Sequence, residues 1–222
     1  MTRIGLFGGT FNPVHQGHLL AADSVRDAFG LSSVILIPAA VPPHKASSEL
    51  AEAQDRRRLL ELAVRGHKGL EVCPIELNRS GPSYTIDTVR ELQRHRFRSV
   101  EMMFIVGADA FLEIDTWKSF SELLRLVPFI VISRPEKRLA SEGSLQDAVD
   151  RFLRSRVSKR CQYEAGRNRF FCPGMQFVYP YAFSALDVSA TQIRNRIRKG
   201  RSLSGLVPPL VEACIREKGL YR

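Results

Sequence analysis

Gly8-Gly9-Thr10-Phe11-Asn12-Pro13-Val14-His15-Gln16-Gly17-His18 is the stretch from which the rest of the chain is read. It follows a short apolar run, Ile4-Gly5-Leu6-Phe7, and leads into Leu19 to Phe29, which has helical patterning. A strand, a glycine turn and a helix start in that order form a phosphate cradle. Glycines let the backbone approach an anion closely, and the amides of a helix start point at it. His15 and His18 fall at that helix start, where both can reach one anion. A lone Gly-Gly is usually a turn and a lone histidine usually a surface residue. Two histidines flanking a glycine directly after Gly-Gly-Thr point to chemistry.

Outward from this stretch, apolar runs alternate with helical segments. Arg3 to Phe7 predicts the first strand and Val34 to Pro38 the second, with a helix from about Gly17 between them. A helix through Glu52 to Arg65 precedes a short strand at Leu70 to Ile75. Tyr84 to His95 predicts a helix, with Ile86, Val89 and Leu92 at three-residue spacing. Glu101 to Val106, Phe129 to Ser133 and Gln176 to Tyr179 complete the strands. Ala190 to Lys199 and Pro209 to Lys218 predict two final helices, Pro209 suiting a helix start and Leu210, Cys214 and Glu217 lying on adjacent turns. Such alternation predicts an α/β fold, a Rossmann-like doubly wound, mostly parallel sheet with helices on both faces and a small C-terminal helical part. Ligands of such sheets bind beyond the strand C-termini, where Gly8, Pro38 and Gly107 fall. The 222 residues fit one domain, 1–222, with a polar, basic insertion or peripheral subdomain near 136–174, helical around Ser144 to Val157.

Composition narrows the class. No apolar run approaches the roughly 20 residues of a membrane span, and a strand so near the first residue predicts no signal peptide. Cys73, Cys161, Cys172 and Cys214 show no C-x-x-C pairing, which predicts neither a zinc site nor a disulfide framework, and a cytoplasmic setting. The formal net charge is +10, so polyphosphate and nucleic acid both qualify as partners. From Arg151 to Cys172, seven cations face Glu164 alone, so six of those excess charges are local to one segment.

Neither Gly-x-Gly-x-x-Gly nor Gly-x-x-x-x-Gly-Lys-Ser/Thr occurs, which argues against a hydride-transfer dinucleotide site and a P-loop. Imidazoles at the helix start can donate to phosphate oxygens. The helix dipole opposes their protonation, but a bound polyphosphate carries full charges and outweighs it. Ser189 suits an N-cap, with Arg194 about one turn further along. Pro42-Pro43-His44-Lys45 is a stiffened loop whose lysine can reach inward. Trp117, the only tryptophan, can stack on a flat ring.

The string G-G-T-F-N-P-V-H-x-G-H resembles the signature of the H-x-G-H nucleotidyltransferase superfamily, and among its branches most the bacterial nicotinate-nucleotide adenylyltransferases. Further segments are similar to that branch. They are Pro42 to Lys45, Ser83-Tyr84-Thr85-Ile86-Asp87-Thr88, Gly107-Ala108-Asp109 with Trp117-Lys118, and Val188-Ser189-Ala190-Thr191-Gln192-Ile193-Arg194. Ala190 stands where some relatives carry a second serine, so one phosphate contact is missing. The likeness continues to Val207-Pro208 and Gly219-Leu220-Tyr221, and leaves Arg151 to Cys172 unmatched.

The resemblance implies adenylyl transfer from ATP to nicotinate mononucleotide, giving deamido-NAD and pyrophosphate, with Mg2+ accompanying ATP and no metal-ligating residues in the protein. It assigns His15, His18, Arg194 and Lys45 to catalysis. Gly8, Gly9, Thr10, Phe11, His15, His18, Gly107, Asp109, Ser189, Thr191 and Arg194 go to ATP. Lys45, Tyr84, Thr85 and Trp117 go to nicotinate mononucleotide. The nearest alternatives are an adenylyltransferase for another phosphorylated acceptor, such as nicotinamide mononucleotide or phosphopantetheine, and an RNA-binding module using Arg151 to Arg169. The Tyr84-Thr85 and Trp117 segments argue against phosphopantetheine. Few aromatics interleave the basic stretch, so a base-stacking platform there is poorly supported. No K-M-S-K-S-like motif accompanies H-x-G-H, which argues against an aminoacyl-tRNA synthetase. The sequence leaves the oligomeric state open.

Overall fold

β-branched and aromatic runs become strands, and two of them are buried from end to end apart from Ser33 at the start of the first. They are β2 (Ser33–Pro38) and β5 (Phe129–Ser133), following β1 (Arg3–Gly9), β3 (Leu70–Val72) and β4 (Glu101–Gly107) in one alternating series. Continuous apolar patterning is what a parallel strand covered on both faces needs. The computed structural model describes residues 2–42, 50–97, 100–133, 143–183 and 186–222. Its contacts divide into two compact units, residues 1–6 with 84–184 and residues 7–83 with 185–222.

In the unit holding residues 7–83 and 185–222 the strand order is β3-β2-β1, with β2 and β3 parallel, Val34 opposite Leu70. Helices α1 (Gln16–Phe29) and α2 (Ala53–Ala63) follow β1 and β2. Gly30, at φ +59°, ends α1 in the left-handed conformation that glycine adopts without strain. Two more helices, Ala190–Arg198 and Pro209–Lys218, belong to this unit. The second buries Val211, Cys214 and Ile215 and leaves Leu210 exposed.

The other unit orders its strands β1-β4-β5, then β8 (Val178–Ala182), β7 (Arg169–Phe171) and β6 (Gln162–Glu164). β4, β5 and β8 are parallel, while β6 and β7 are an antiparallel hairpin against β8. The chain enters this unit through α3 (Thr85–His95), which buries Ile86, Val89 and Leu92 as the spacing predicts. The short α4 (Ala108–Phe111) and α5 (Phe120–Leu126) lie between β4 and β5. After β5 comes α6 (Leu145–Phe152), continued by a π turn at Leu153–Val157. Ser144 caps α6 by accepting from Asp147 N–H at 3.2 Å. In chain order, Ala190–Arg198 is α7 and Pro209–Lys218 is α8.

The absence of C-x-x-C spacing predicts no disulfide, and the structure corrects this. Cys161 and Cys172 are joined, with Cα atoms 4.3 Å apart. They flank the β6–β7 hairpin, and antiparallel pairing of Gln162 with Phe171 brings their neighbours together across the ladder. Cys73 and Cys214 stay as free, buried thiols. No helix among the described residues is long and apolar enough to cross a membrane.

Candidate active site

The loop between β1 and α1 is held through its own backbone. Gly9 C=O accepts from Ala39 N–H at 2.9 Å. Thr10 C=O accepts from Arg56 at 2.8 Å, and Asn12 C=O from Arg194 at 3.0 Å. The Asn12 side-chain oxygen accepts from Ala51 N–H, also at 3.0 Å. Between these anchors Phe11 adopts φ +48°, a conformation few non-glycine residues take, with its ring 2% exposed. A Cβ on Gly9 would lie 3.0 Å from that ring, so the cradle glycine makes room for the buried phenylalanine.

His15 N-caps α1 and His18 completes its first turn. Their rings stack with centroids 3.7 Å apart, and the edge-on Phe11 ring lies 5.0 Å from His18. His15 is buried, whereas His18 is partly exposed. His18 Nδ1 accepts from His15 N–H at 3.3 Å, which leaves Nε2 to carry the ring proton and donate outward. Gly17 separates the histidines where any side chain would crowd its neighbours. A Cβ there would stand 3.0 Å from Val188 and 3.1 Å from His15 Nδ1. One expectation needs adjusting. Gln16 N–H, the first amide of α1, donates to Leu206 C=O at 2.9 Å. An anion here therefore relies more on side chains than the strand-turn-helix pattern implies.

α7 brings its own groups to the same loop. Ser189 and Gln192 form a reciprocal capping box, Ser189 Oγ accepting from Gln192 N–H at 3.1 Å. The Ser189 hydroxyl proton is left to donate. Arg194 bridges the Asn12 carbonyl and Thr191 Oγ1, the latter at 3.4 Å. His15, His18, Arg194, Ser189 and Thr191 thus gather around residues 9–18 within one unit. Lys45 lies outside the described residues.

Arg56 was not foreseen. It is 1% exposed and donates to four backbone carbonyls, those of Thr10, Ala39, Ala40 and Ala51. Burial pulls its pKa down from the ordinary arginine value, with Tyr221 and Glu52 opposing. It ties the cradle turn to the loop after β2 and to the approach to α2. Helical spacing carried the signal: Arg56 sits in register with Leu59, Leu60 and Ala63 on the buried stripe of α2.

The second unit holds the remaining candidates. Tyr84 N-caps α3 and Thr85 is its first residue, both partly buried. Lys118 sits 4.6 Å over the Tyr84 ring and pairs with Asp87 at 2.8 Å. Trp117 is only partly buried, its indole edge-on to Phe104 at 6.4 Å, so part of its surface is open. Gly107 ends β4, and among the described residues no atom lies within 4 Å of a Cβ built there. Asp109 is exposed in α4. The basic stretch is partly neutralised: Arg154 pairs with Asp150, Arg156 with Asp115 and Arg169 with Glu164.

Comparison with known proteins fits this arrangement. Residues 6–196 match the cytidylyltransferase-like family. The probable nicotinate-nucleotide adenylyltransferase of Desulfatibacillum aliphaticivorans is 39% identical over 99% of both chains. That of Geotalea daltonii is 36% identical over 99% of this chain and 98% of its own. Among solved structures, the Plasmodium falciparum nicotinic acid mononucleotide adenylyltransferase complexed with NaAD superposes with a TM-score of 0.73. It covers 100% of this chain and 98% of that one at 16% identity, a likeness of fold. The glycine turn, the stacked histidine pair and the full-length similarity lead to one conclusion: the chain belongs to the cytidylyltransferase-like family, in its nicotinate-nucleotide adenylyltransferase branch.

Proposed function

We propose that this nucleotidyltransferase moves the adenylyl group of MgATP onto nicotinate mononucleotide, releasing pyrophosphate and forming deamido-NAD for NAD biosynthesis in the cytoplasm. The observation that carries the chemistry is the stacked His15–His18 pair on the loop whose Asn12 carbonyl Arg194 holds. The full-length relatives carry the choice of acceptor.

A phosphate oxygen of the mononucleotide, already anionic at neutral pH, forms a bond to the α-phosphorus. The bond from that phosphorus to the bridging oxygen breaks, and its electron pair leaves with pyrophosphate. No base and no covalent enzyme intermediate are needed. The obstacle is bringing two anions together, and holding them in line lowers the barrier by up to roughly 7–11 kcal/mol. Each cation about 4 Å from the developing charge adds on the order of 4 kcal/mol at an effective dielectric near 20.

His18 donates from Nε2 to the transferring phosphate. His15, stacked on it at 3.7 Å, shares that role. Arg194, Ser189 and Thr191 hold the departing pyrophosphate. Gly8, Gly9, Thr10 and Phe11 shape the cradle, and Gly107 and Asp109 serve the adenylyl portion. Tyr84, Thr85 and Trp117 receive the nicotinate ring, and Lys45 the mononucleotide phosphate. Mg2+ enters with the triphosphate as part of the substrate, held mostly by ATP and water.

The test is pyrophosphate release from MgATP with each mononucleotide in turn. Turnover with the acid, at higher kcat/KM than with the amide, is expected. Preference for the amide, or no turnover with either, contradicts the reading.

A further inference from the structure

A run of positive charge lies on α7 and the turn after it. Between Asp187 and Glu212 the sequence holds five cations, Arg194, Arg196, Arg198, Lys199 and Arg201, and no carboxylate. Among the described residues Arg196, Lys199 and Arg201 make no ion pair. Arg196 donates to Ser202 C=O at 2.8 Å. Gly200, at φ +61°, turns the chain back, and Arg201 N–H donates to Arg196 C=O at 2.9 Å. The turn thereby returns Arg201 to the helix it has just left.

These three cations line one open groove of about 440 Å³, together with Gln192 and the hydroxyls of Ser189 and Thr191. No aromatic or aliphatic side chain lines it. Arg194 is not part of its wall. With about 3.6 residues per turn, Arg196 and Lys199, two and five positions on, point away from the face that carries Arg194 to Asn12. The groove and the transfer site therefore share only the helix start.

We propose that this groove is a second anion site that takes a free inorganic oligophosphate, pyrophosphate or triphosphate. Three cations close together with no carboxylate among them favour a ligand with several adjacent negative charges. The side-chain amides of Gln192 and Asn195, which also line the groove, add neutral donors, while the Ser189 and Thr191 hydroxyls at its rim belong to the transfer site. A base or sugar ring finds nothing to stack on, so a bare phosphate chain fits better than a nucleotide or RNA. This goes beyond the transferase reading and does not depend on it.

The experiment is calorimetric titration of inorganic triphosphate into the full-length protein at low salt without divalent metal. Wild type is compared with the double variant Lys199→Gln, Arg201→Gln, whose side chains are exposed and whose fold is checked by its melting temperature. Removing both cations is expected to abolish one class of sites or weaken it about 25-fold, roughly fivefold per exposed pair. Pyrophosphate release from MgATP, read on the same samples, is expected to persist. Its absence in wild type would count against the transferase reading alone. Indistinguishable triphosphate binding by the two proteins overturns the groove proposal. So does single-stranded RNA binding to wild type while triphosphate does not.

Discussion

Gly17 shows how a single atom sets a site. Helix propensity alone favours alanine over glycine by up to about 1 kcal/mol. The space opposes it: a Cβ would meet Val188 at 3.0 Å and His15 at 3.1 Å, and both neighbours are buried. Overpacking of this kind costs roughly 1–3 kcal/mol, so the steric effect wins. Gly17→Ala is therefore expected to lower stability by up to about 2 kcal/mol in urea unfolding, the difference of those two effects. It should also cut kcat/KM by at least about tenfold, because the His15 ring must move. A variant as stable and active as wild type would show that the ring has room to spare. Val188, 171 positions along the chain from Gly17, is what makes this glycine a packing requirement.

At the scale of elements, the β1–α1 loop is built by its neighbours more than by its own sequence. α2 reaches it through Arg56 and α7 through Arg194, each donating to a loop carbonyl. Arg56 joins four carbonyls with one planar guanidinium, which a lysine ammonium on a single point cannot span. Arg56→Met removes the buried cation and leaves those carbonyls without their donor, at an expected cost of about 3–5 kcal/mol. Arg56→Lys should cost about 2 kcal/mol by losing one or two charge-assisted bonds. Both variants should lose kcat/KM as the turn relaxes. Stability within about 1 kcal/mol of wild type for the Met variant, measured by urea unfolding, would reduce Arg56 to a replaceable filler. The β6–β7 hairpin shows the opposite case. Its disulfide joins cysteines 11 residues apart that no spacing rule marked, because only the antiparallel ladder brings them together.

Across the whole molecule, the parallel series was legible because its strands are short apolar runs with helical periodicity between them. Ile86, Val89 and Leu92 bury as their spacing requires, and β2 from Val34 onward and all of β5 are covered. The hairpin and the engaged amide of Gln16 were not legible, since each depends on a distant partner. The motif residues of the candidate site could be read from the chain, whereas Arg56, which supports them, looked like an ordinary helix arginine. The excess charge was legible as a cluster from Arg151 to Cys172, but its pairing was not. Pairing dampens it in the basic hairpin region and leaves it exposed along α7. The central claim is that side chains gathered on one loop stabilise charge on the transferring phosphate, with no proton transfer to perform. Steady-state kinetics of His18→Ala test it most directly, with MgATP and nicotinate mononucleotide as substrates. Removing one aimed donor is expected to lower kcat by about 100- to 1,000-fold, with the KM for each substrate changed far less. A kcat within a few-fold of wild type, or a loss confined to KM, would contradict it.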